Sequence, residues 1–247
     1  MSTTLMPGTL YVVSLPIGNA EDITVRALRI LQTVAVVAAE NPEKAHALFG
    51  EHGITTPLTS YNRTVQEEKA ALLIARLREG QDVALVSDEG TPSICDPGTY
   101  LVSCVRAAGL RIASVPGPSA LLTAFAVSGF KSDAFIFVGD MPRTSNARLL
   151  LLRSLRSEIR SVAAFVSTDA VLTILHELHQ VLGNRRILIA CEMTKPGEQY
   201  IHGTIATARK AWAERHAGGD VTLIIEGRRK RLNSPLSSES ARGRNSR

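Results

Sequence analysis

The sequence predicts an α/β protein made of two α/β domains. Along the first 118 residues, short apolar runs alternate with helical patterns, which is typical of a parallel sheet with crossover helices. Several of the apolar runs lead directly into loops rich in Gly and Pro. After Pro118 the alternation starts again, so we expect an N-terminal domain over residues 1–118 and a C-terminal domain over residues 119–227.

The N-terminal domain is predicted to contain four parallel strands with helices between them. Glu21 and Asp22 are expected in the first turn of the first helix, where the helix dipole favours carboxylates. Leu72, Leu73 and Leu77 are expected on one buried side of the second helix. Strands are predicted over residues 9–15, 34–39, 83–86 and 111–115, and helices over residues 20–32, 67–78 and 97–108.

The C-terminal domain is predicted to continue the alternation of strands and helices. Its predicted strands cover residues 134–138, 162–166, 186–191 and 221–225, and its predicted helices cover residues 119–127, 149–155, 171–182 and 204–215. No internal repeat of solenoid length is present.

The composition is typical of a soluble globular protein. Of the 247 residues, 45% are hydrophobic and 21% are charged. No apolar run approaches the roughly 18 residues of a membrane-spanning helix, and residues 1–8 lack the features of a signal peptide. We therefore expect a cytoplasmic protein. The three cysteines, Cys95, Cys104 and Cys191, have no metal-binding spacing, so neither a disulfide nor a metal site is expected.

The net charge of +5 comes from the C-terminal end of the chain. Residues 228–247 contain seven Lys and Arg and one Glu, whereas residues 1–227 are close to neutral. This Ser- and Arg-rich segment has too few apolar residues to form a core and is predicted to be a disordered tail. Contacts to RNA and a purely solubilising role are both compatible with it.

Three loops rich in Gly and Pro follow strands that should end at the same sheet edge. They are LPIGN at 15–19, SDEGTPSICDPG at 87–98 and PGPSA at 116–120. In an open parallel sheet, ligands bind at the carboxyl ends of the strands. None of the loops has the GxGxxG pattern of dinucleotide-binding proteins. The pattern therefore indicates either a small-molecule site of another kind or a set of structural turns.

Several stretches of the sequence resemble one known family. They are GTLYVVSLPIGNAEDITVRAL at 8–28, VAAE at 37–40, ALVSDEGTPSICDPG at 84–98, VPGPSALLTAFAVSGF at 115–130, ACEMTK at 190–195, HGT at 202–204 and GDVTLIIEG at 219–227. In this order they look like the tetrapyrrole methylase superfamily. Within it they most resemble the bacterial 16S ribosomal RNA 2′-O-ribose cytidine methyltransferase I family.

The resemblance implies a cofactor, a substrate and a set of binding residues. It implies two α/β domains of the tetrapyrrole methylase type, with S-adenosylmethionine (SAM) in the cleft between them. It also implies a homodimer that methylates 16S rRNA in the 30S ribosomal subunit, without a metal. The residues at positions expected to bind the cofactor are Pro16, Ile17, Asp88, Gly90, Thr91, Ser119 and Ala120.

Methyl transfer to a ribose requires alignment of the 2′-oxygen with the methyl carbon and removal of its proton. The candidates for a catalytic role are Glu40, at the end of the second predicted strand, and Glu192 and Lys195, in the stretch that resembles the family's ELTK. A surface position is an equal alternative for Glu40. Lys195 is equally suited to bind a phosphate.

The sequence departs from the family on the substrate side. The family's EDTR is here Glu40-Asn41-Pro42-Glu43, its aromatic-Tyr-Glu-Ser strand end is 165–167 without the Glu, and its small residue at position 89 is Glu89. Its basic C-terminal helical extension is replaced by the tail. Arg153, Arg156 and Arg160 are predicted to form a stripe on one helix face, which is either an ordinary solvated surface or a set of phosphate contacts compatible with RNA.

Two further functions therefore stay open beside rRNA methylation. One is an enzyme of the same fold with a small-molecule acceptor such as a tetrapyrrole. The other is a SAM-binding protein that has lost its catalytic activity.

Overall fold

The computed structural model describes residues 6–214 and 219–228. Within these residues the chain forms two five-stranded sheets with helices packed on them, which confirms the predicted α/β class. The domain boundaries at residues 118 and 227 stay predictions. The predicted tail, apart from Arg228, lies outside the described residues.

The first sheet is entirely parallel. Its elements are β1 (Thr9–Val13), α1 (Val25–Thr33), β2 (Val36–Ala39), α2 (Pro42–Glu51), β3 (Leu58–Ser60), α3 (Gln66–Arg78), β4 (Val83–Val86), α4 (Thr99–Ala107) and β5 (Arg111–Val115). The strand order is β3-β2-β4-β1-β5. Every residue of β2 and β4 is buried, because helices cover both faces of the sheet.

The second sheet is mixed. Its elements are α5 (Ala120–Ser128), β6 (Phe135–Asp140), α6 (Ser145–Ser154), β7 (Ser161–Ser167), α7 (Val171–Leu182), β8 (Arg186–Cys191), β9 (Gln199–Thr204), α8 (Ile205–Ala213) and β10 (Asp220–Ile225). The strand order is β6-β7-β10-β8-β9, with β6 and β7 parallel and the other neighbours antiparallel.

The two sheets are joined by apolar contacts. Helix α5 packs on β8 and β10, where Ala124 and Phe125 lie in one cluster with Leu188 and Ile224. Ile17, from the loop after β1, is 5% exposed and belongs to the same cluster. The loop that follows the first strand is therefore anchored against the second sheet.

The structure corrects several details of the sequence prediction in the first half. Glu21 and Asp22 lie in a separate short 3-10 helix, and α1 begins only at Val25, where the Thr24 side chain accepts from the Ala27 N–H. Leu73 and Leu77 are buried as predicted, but Leu72 is 53% exposed. Helix α2 and the short strands β3 and β9 were not predicted.

The predicted arginine stripe is also wrong. Helix α6 ends at Ser154, so Arg160 is not on it and instead pairs with Glu158 at 2.8 Å. Arg148, upstream in the same helix, is buried and bound to Glu177 at 2.6 Å. The structure therefore does not form the continuous basic helix face that the spacing suggested.

Two observations concern membranes and cysteine chemistry. None of the helices in residues 6–214 and 219–228 combines the length and apolar character needed to cross a bilayer. Cys95, Cys104 and Cys191 form no disulfide.

Candidate active site

A cavity of about 400 Å³ lies between the two sheets. Its volume falls in the range of small-molecule sites. The first half of the chain contributes Ile17, Glu89, Gly90, Thr91, Ile94, Cys95 and Asp96, and the second contributes Ser119, Ala120, Asp140, Phe165, Val166, Ser167, Asp220, Val221 and Thr222. All three Gly- and Pro-rich loops of the sequence therefore meet at this cavity, and the ends of β6 and β7 and the start of β10 close its far side.

The first two loops are joined by backbone hydrogen bonds. The Leu15 N–H donates to the Gly90 carbonyl at 2.8 Å, and the Gly90 N–H donates back to Leu15 at 3.2 Å. Gly90 has φ +66°, a conformation that favours glycine. The hydroxyls of Ser14 and Thr91 lie 2.9 Å apart. These contacts fix the cavity wall that Gly90 and Thr91 form.

Five of the seven predicted cofactor residues line the cavity, and two do not. Pro16 is not part of the lining. Asp88 lies beside it, with one carboxylate oxygen 2.9 Å from Lys44 Nζ. Its other oxygen, Oδ1, is buried without a hydrogen-bond partner among the described residues. A buried acceptor of this kind requires a donor, because an unpaired one is costly.

Three aspartates on the cavity wall, Asp96, Asp140 and Asp220, were not predicted as site residues. The pKa of Asp96 is raised to about 6, mainly by burial and further by the negative charges of Glu40, Asp88 and Asp140, while the Ser87 hydroxyl offsets part of the rise. Glu40 does not line the cavity. Burial also raises its pKa, as does the neighbouring Asp88. Carboxylates that come from different strand ends are therefore close enough for the negative charge of one to raise the pKa of another.

Lys195 forms an ionic bridge across the cleft. Its Nζ lies 2.5 Å from Asp220 Oδ2 and 3.3 Å from Glu89 Oε1, and both of these acids line the cavity. Burial lowers the pKa of Lys195, but its hydrogen bond to Asp220 and the negative charge of Glu89 outweigh this effect, so the net pKa is raised. Glu192 lies 3.7 Å from the same ammonium and accepts from the Asp220 N–H at 2.9 Å.

The loop that carries Lys195 packs tightly against the first loop. A Cβ at Gly18 would overlap the Lys195 side chain, and the Asn19 N–H donates to Thr194 Oγ1 at 3.1 Å. Within residues 6–214 and 219–228, four non-glycine residues have positive φ, namely Ser93, Cys95, Glu192 and Thr194. All four lie in the two loops beside the cavity, and such strain is often found at functional sites.

Comparison with known proteins agrees with this architecture. Residues 9–209 match the model of the tetrapyrrole (corrin/porphyrin) methylases. The ribosomal RNA small subunit methyltransferase I of Thermotoga maritima is 38% identical over 90% of this chain and 99% of its own length. The enzyme of the same name from Escherichia coli O157:H7 is 41% identical over 89% of this chain and 78% of its own length. The chain belongs to the ribosomal RNA small subunit methyltransferase I family, within the tetrapyrrole methylases.

Solved structures share the fold of this methyltransferase I family member. A uroporphyrin-III C-methyltransferase from Thermus thermophilus has a TM-score of 0.62 and 21% identity over 89% of this chain and 94% of its own. A cobalt-precorrin-4 methyltransferase has a TM-score of 0.64 and 18% identity over 88% and 94%. Another structure of the Thermus enzyme contains S-adenosylhomocysteine, with a TM-score of 0.60 and 20% identity over 89% and 97%.

The residues predicted to depart from the family pattern make local contacts in this methyltransferase I family member. The Asn41 side chain caps α2 by accepting from the N–H groups of Glu43 and Lys44, and Pro42 occupies the first helical position, where proline is favoured. Glu89 takes part in the bridge to Lys195. Asn41 and Pro42 therefore stabilise the start of α2, and Glu89 joins the second Gly- and Pro-rich loop to Lys195.

A metal is not implied by the side chains in residues 6–214 and 219–228, where no three His, Cys, Asp or Glu are grouped as metal ligands. The roles of the predicted site residues in this methyltransferase I family member stay predictions. The sequence contained one indication that Asp96 could be a site residue, because it lies in the same loop as Asp88.

Proposed function

We propose that this chain methylates a ribose 2′-oxygen of a cytidine in 16S rRNA, with SAM as the methyl donor. The observation that carries the proposal is the cavity between the two sheets, formed by all three motif loops in a chain of this family. The relatives at 38% and 41% identity are named small-subunit rRNA methyltransferases over most of this chain. That level of identity favours the same reaction class and substrate here.

The residues around the cavity fit SAM. The apolar side chains of Ile17 and Val166 offer contacts for a flat base, and Thr91 and Ser119 add hydroxyl groups to the cavity lining. The unpartnered Asp88 Oδ1 suits an amino or hydroxyl donor. When bound, SAM supplies an electrophilic methyl group on a positively charged sulfur. The acidic cavity wall favours that positive charge.

Asp96 is the residue that we assign to accept the 2′-hydroxyl proton. It lies on the cavity wall, and its pKa of about 6 leaves it ionised at neutral pH but more basic than an ordinary Asp. Among the three candidates from the sequence, Lys195 is protonated and held by two acids. Glu192 accepts a hydrogen bond from the Asp220 backbone, and Glu40 does not line the cavity. We assign Glu40 a supporting role, since its charge raises the pKa of Asp96.

The reaction then depends on positioning more than on activation. With SAM bound, Asp96 would remove the hydroxyl proton as the 2′-oxygen bonds to the methyl carbon and the carbon–sulfur bond breaks, so that S-adenosylhomocysteine leaves. The proton would then pass from Asp96 to water. The Lys195 bridge holds Glu89 and Asp220 in place, which fixes the distance between the two cavity walls. A homodimer acting on the 30S subunit in the cytoplasm completes the proposal, in line with the family resemblance.

A tetrapyrrole acceptor is less well supported. The solved tetrapyrrole enzymes are 18–21% identical to this chain, so they indicate the fold and not the acceptor. A catalytically inactive SAM-binding protein would be expected to lose acidic groups at its cavity. Asp96 and Asp140 are instead both present on the wall.

The decisive experiment is methyl transfer from labelled SAM to purified 30S subunits that lack the modification. We expect label in 16S rRNA, recovered after nuclease digestion as 2′-O-methylcytidine by mass spectrometry. A protein that binds SAM tightly but labels no nucleotide of these subunits would contradict the proposal.

A pair of variants on one helix controls this assay. Ala120 lines the cavity at the start of α5, so Ala120→Phe fills it and should abolish both SAM binding and transfer. Leu122 is 58% exposed on the same helix, so Leu122→Phe should leave both unchanged.

A further inference from the structure

A second cavity, of about 980 Å³, lies at the opposite end of the second sheet. Its lining residues come from the segment after α6, the end of α7 and the turn that follows it, the start of β8 and the segment after β10. Val221 of β10 lines the candidate active site, whereas Glu226 lines this second cavity. At about 3.4 Å per strand residue, the two sites are separated by roughly 17 Å.

Four arginines line the second cavity: Arg156, Arg185, Arg186 and Arg228. Arg186 forms a two-pronged ion pair with Glu226, at 2.6 and 2.9 Å. Arg185 is partly buried and donates to the Arg156 carbonyl at 2.6 Å. The side chains of Arg156 and Arg228 are exposed and form no ion pair with a carboxylate of residues 6–214 or 219–228.

The positive charges in this cavity exceed the negative ones. Glu226 is engaged by Arg186, and Glu158, at the cavity edge, is engaged by Arg160 at 2.8 Å. Burial lowers the pKa of Arg185, and the positive charge of Arg228 lowers it further, while the negative charge of Glu158 offsets part of this effect. Two guanidinium groups are therefore close enough to repel each other. A bound anion would relieve that repulsion.

We propose that this arginine cavity is a second RNA contact surface, which binds backbone phosphates. The proposal rests on the proposed function, because rRNA is the polyanion that such an enzyme must engage. Guanidinium groups match phosphate oxygens in charge and geometry. Arg228 is directly followed by residues 229–247, which contain six Lys and Arg and one Glu. The sequence that follows the cavity is therefore also positively charged, which favours binding of an extended RNA backbone.

The test compares the double variant Arg156→Gln/Arg228→Gln with the wild-type protein in binding to deproteinised 16S rRNA and to 30S subunits at several salt concentrations. Loss of two phosphate contacts should make the slope of log K against log salt shallower by about 1.4–1.8. At 0.1 M salt we expect roughly ten- to hundred-fold weaker RNA binding. SAM affinity, measured by calorimetry, and the single-turnover rate at saturating 30S subunits should be unchanged.

A matched control is Arg209→Gln, an exposed arginine of α8 that does not line the cavity. A double variant with wild-type affinity and salt slope would overturn the proposal. Weakened binding to 30S subunits with unchanged binding to free RNA would also overturn it, because it would indicate a ribosomal protein partner. These slopes do not depend on catalysis, so a protein that binds RNA through the cavity but transfers no methyl group contradicts only the proposed function.

Discussion

The raised pKa of Asp96, the proton acceptor that we propose, depends on which elements supply its neighbours. The charges facing it belong to Glu40 after β2, Asp88 after β4 and Asp140 at the end of β6, with the Ser87 hydroxyl as a neutral partner. Three acids from separate elements raise the pKa of one side chain, and burial contributes most. A carboxylate in an ordinary surface loop would not have this property.

We expect Asp96→Asn to slow methyl transfer by roughly 10²- to 10⁴-fold with little effect on SAM affinity, because the amide cannot accept a proton. In the wild-type protein the single-turnover rate should rise with pH through about 6, as Asp96 ionises. Asp140→Asn removes one negative neighbour and should move this inflection to lower pH. An Asp96→Asn protein that keeps both the rate and the pH profile would exclude Asp96 as the base.

The sequence could indicate which loops form the site but not which carboxylate is perturbed. Ile17, Gly90, Thr91, Ser119 and Ala120 lie in loops that follow strands, and the loop positions follow from the strand pattern. The environment of Asp96 depends instead on Glu40 and Asp140, which are distant along the chain. Their proximity is a property of tertiary packing, and no local pattern encodes it.

At the scale of elements, the prediction was most accurate where apolar periodicity was strong. Helix α7 and strand β8 were predicted with the bounds that the structure has; α7 has a continuous buried face, and β8 is buried from its second residue onward. Strand β3 has only three residues, and β9 (QYIHGT) alternates weakly and lies at a sheet edge. Helix α2 was missed because its apolar residues are few: Ala45 and Phe49 are the ones buried.

Arg148 of α6 is a buried charged residue that is paired with Glu177 of α7. Its guanidinium binds both oxygens of Glu177, at 2.6 and 2.9 Å, and also donates to the carbonyls of Pro142 and Arg143. These contacts join α6 to α7 and fix the turn that follows Asp140. The pair therefore supports one wall of the candidate active site from behind.

We expect Arg148→Met to lower the free energy of unfolding by about 3–5 kcal/mol, because it leaves the Glu177 carboxylate buried without its partner. The hydrogen bond from Arg148 lowers the pKa of Glu177 below its ordinary 4.5. In the wild-type protein the ion pair with Arg148 therefore contributes fully to stability above about pH 4.5. This contribution is lost as the pH falls through the lowered pKa of Glu177.

Urea unfolding at neutral pH measures the loss, with Arg153→Met on the exposed side of α6 as the control. The control should change stability by less than about 0.5 kcal/mol. Equal effects of the two substitutions would mean that the buried pair contributes nothing specific.

At the scale of the whole molecule, the two cavities have opposite electrostatic character. The lining of the candidate active site includes four acids, Glu89, Asp96, Asp140 and Asp220, while the lining of the second cavity includes four arginines and one acid, Glu226. A cationic methyl donor is favoured at the first and an RNA backbone at the second. RNA that docks on the arginines must still bring one ribose to the acidic cavity, so repulsion at its mouth opposes the final approach.

Glu89 is the acid at this mouth that departs from the family, and its removal should ease the approach of RNA. Lys195 already partners Asp220 at 2.5 Å, so Glu89→Gln leaves that pair intact and makes the mouth more positive by one charge. We expect RNA affinity to rise roughly three- to ten-fold at low salt, with a smaller gain at high salt because ions screen the repulsion. The control is Glu79→Gln, which removes the charge of an exposed acid that follows α3 and does not line the cavity. Its RNA affinity, measured in the same way, gives the effect of losing a negative charge elsewhere on the surface. Identical affinities for the two variants would mean that Lys195 already neutralises Glu89, and that the acidic character of the mouth comes from Asp96 and Asp140 instead.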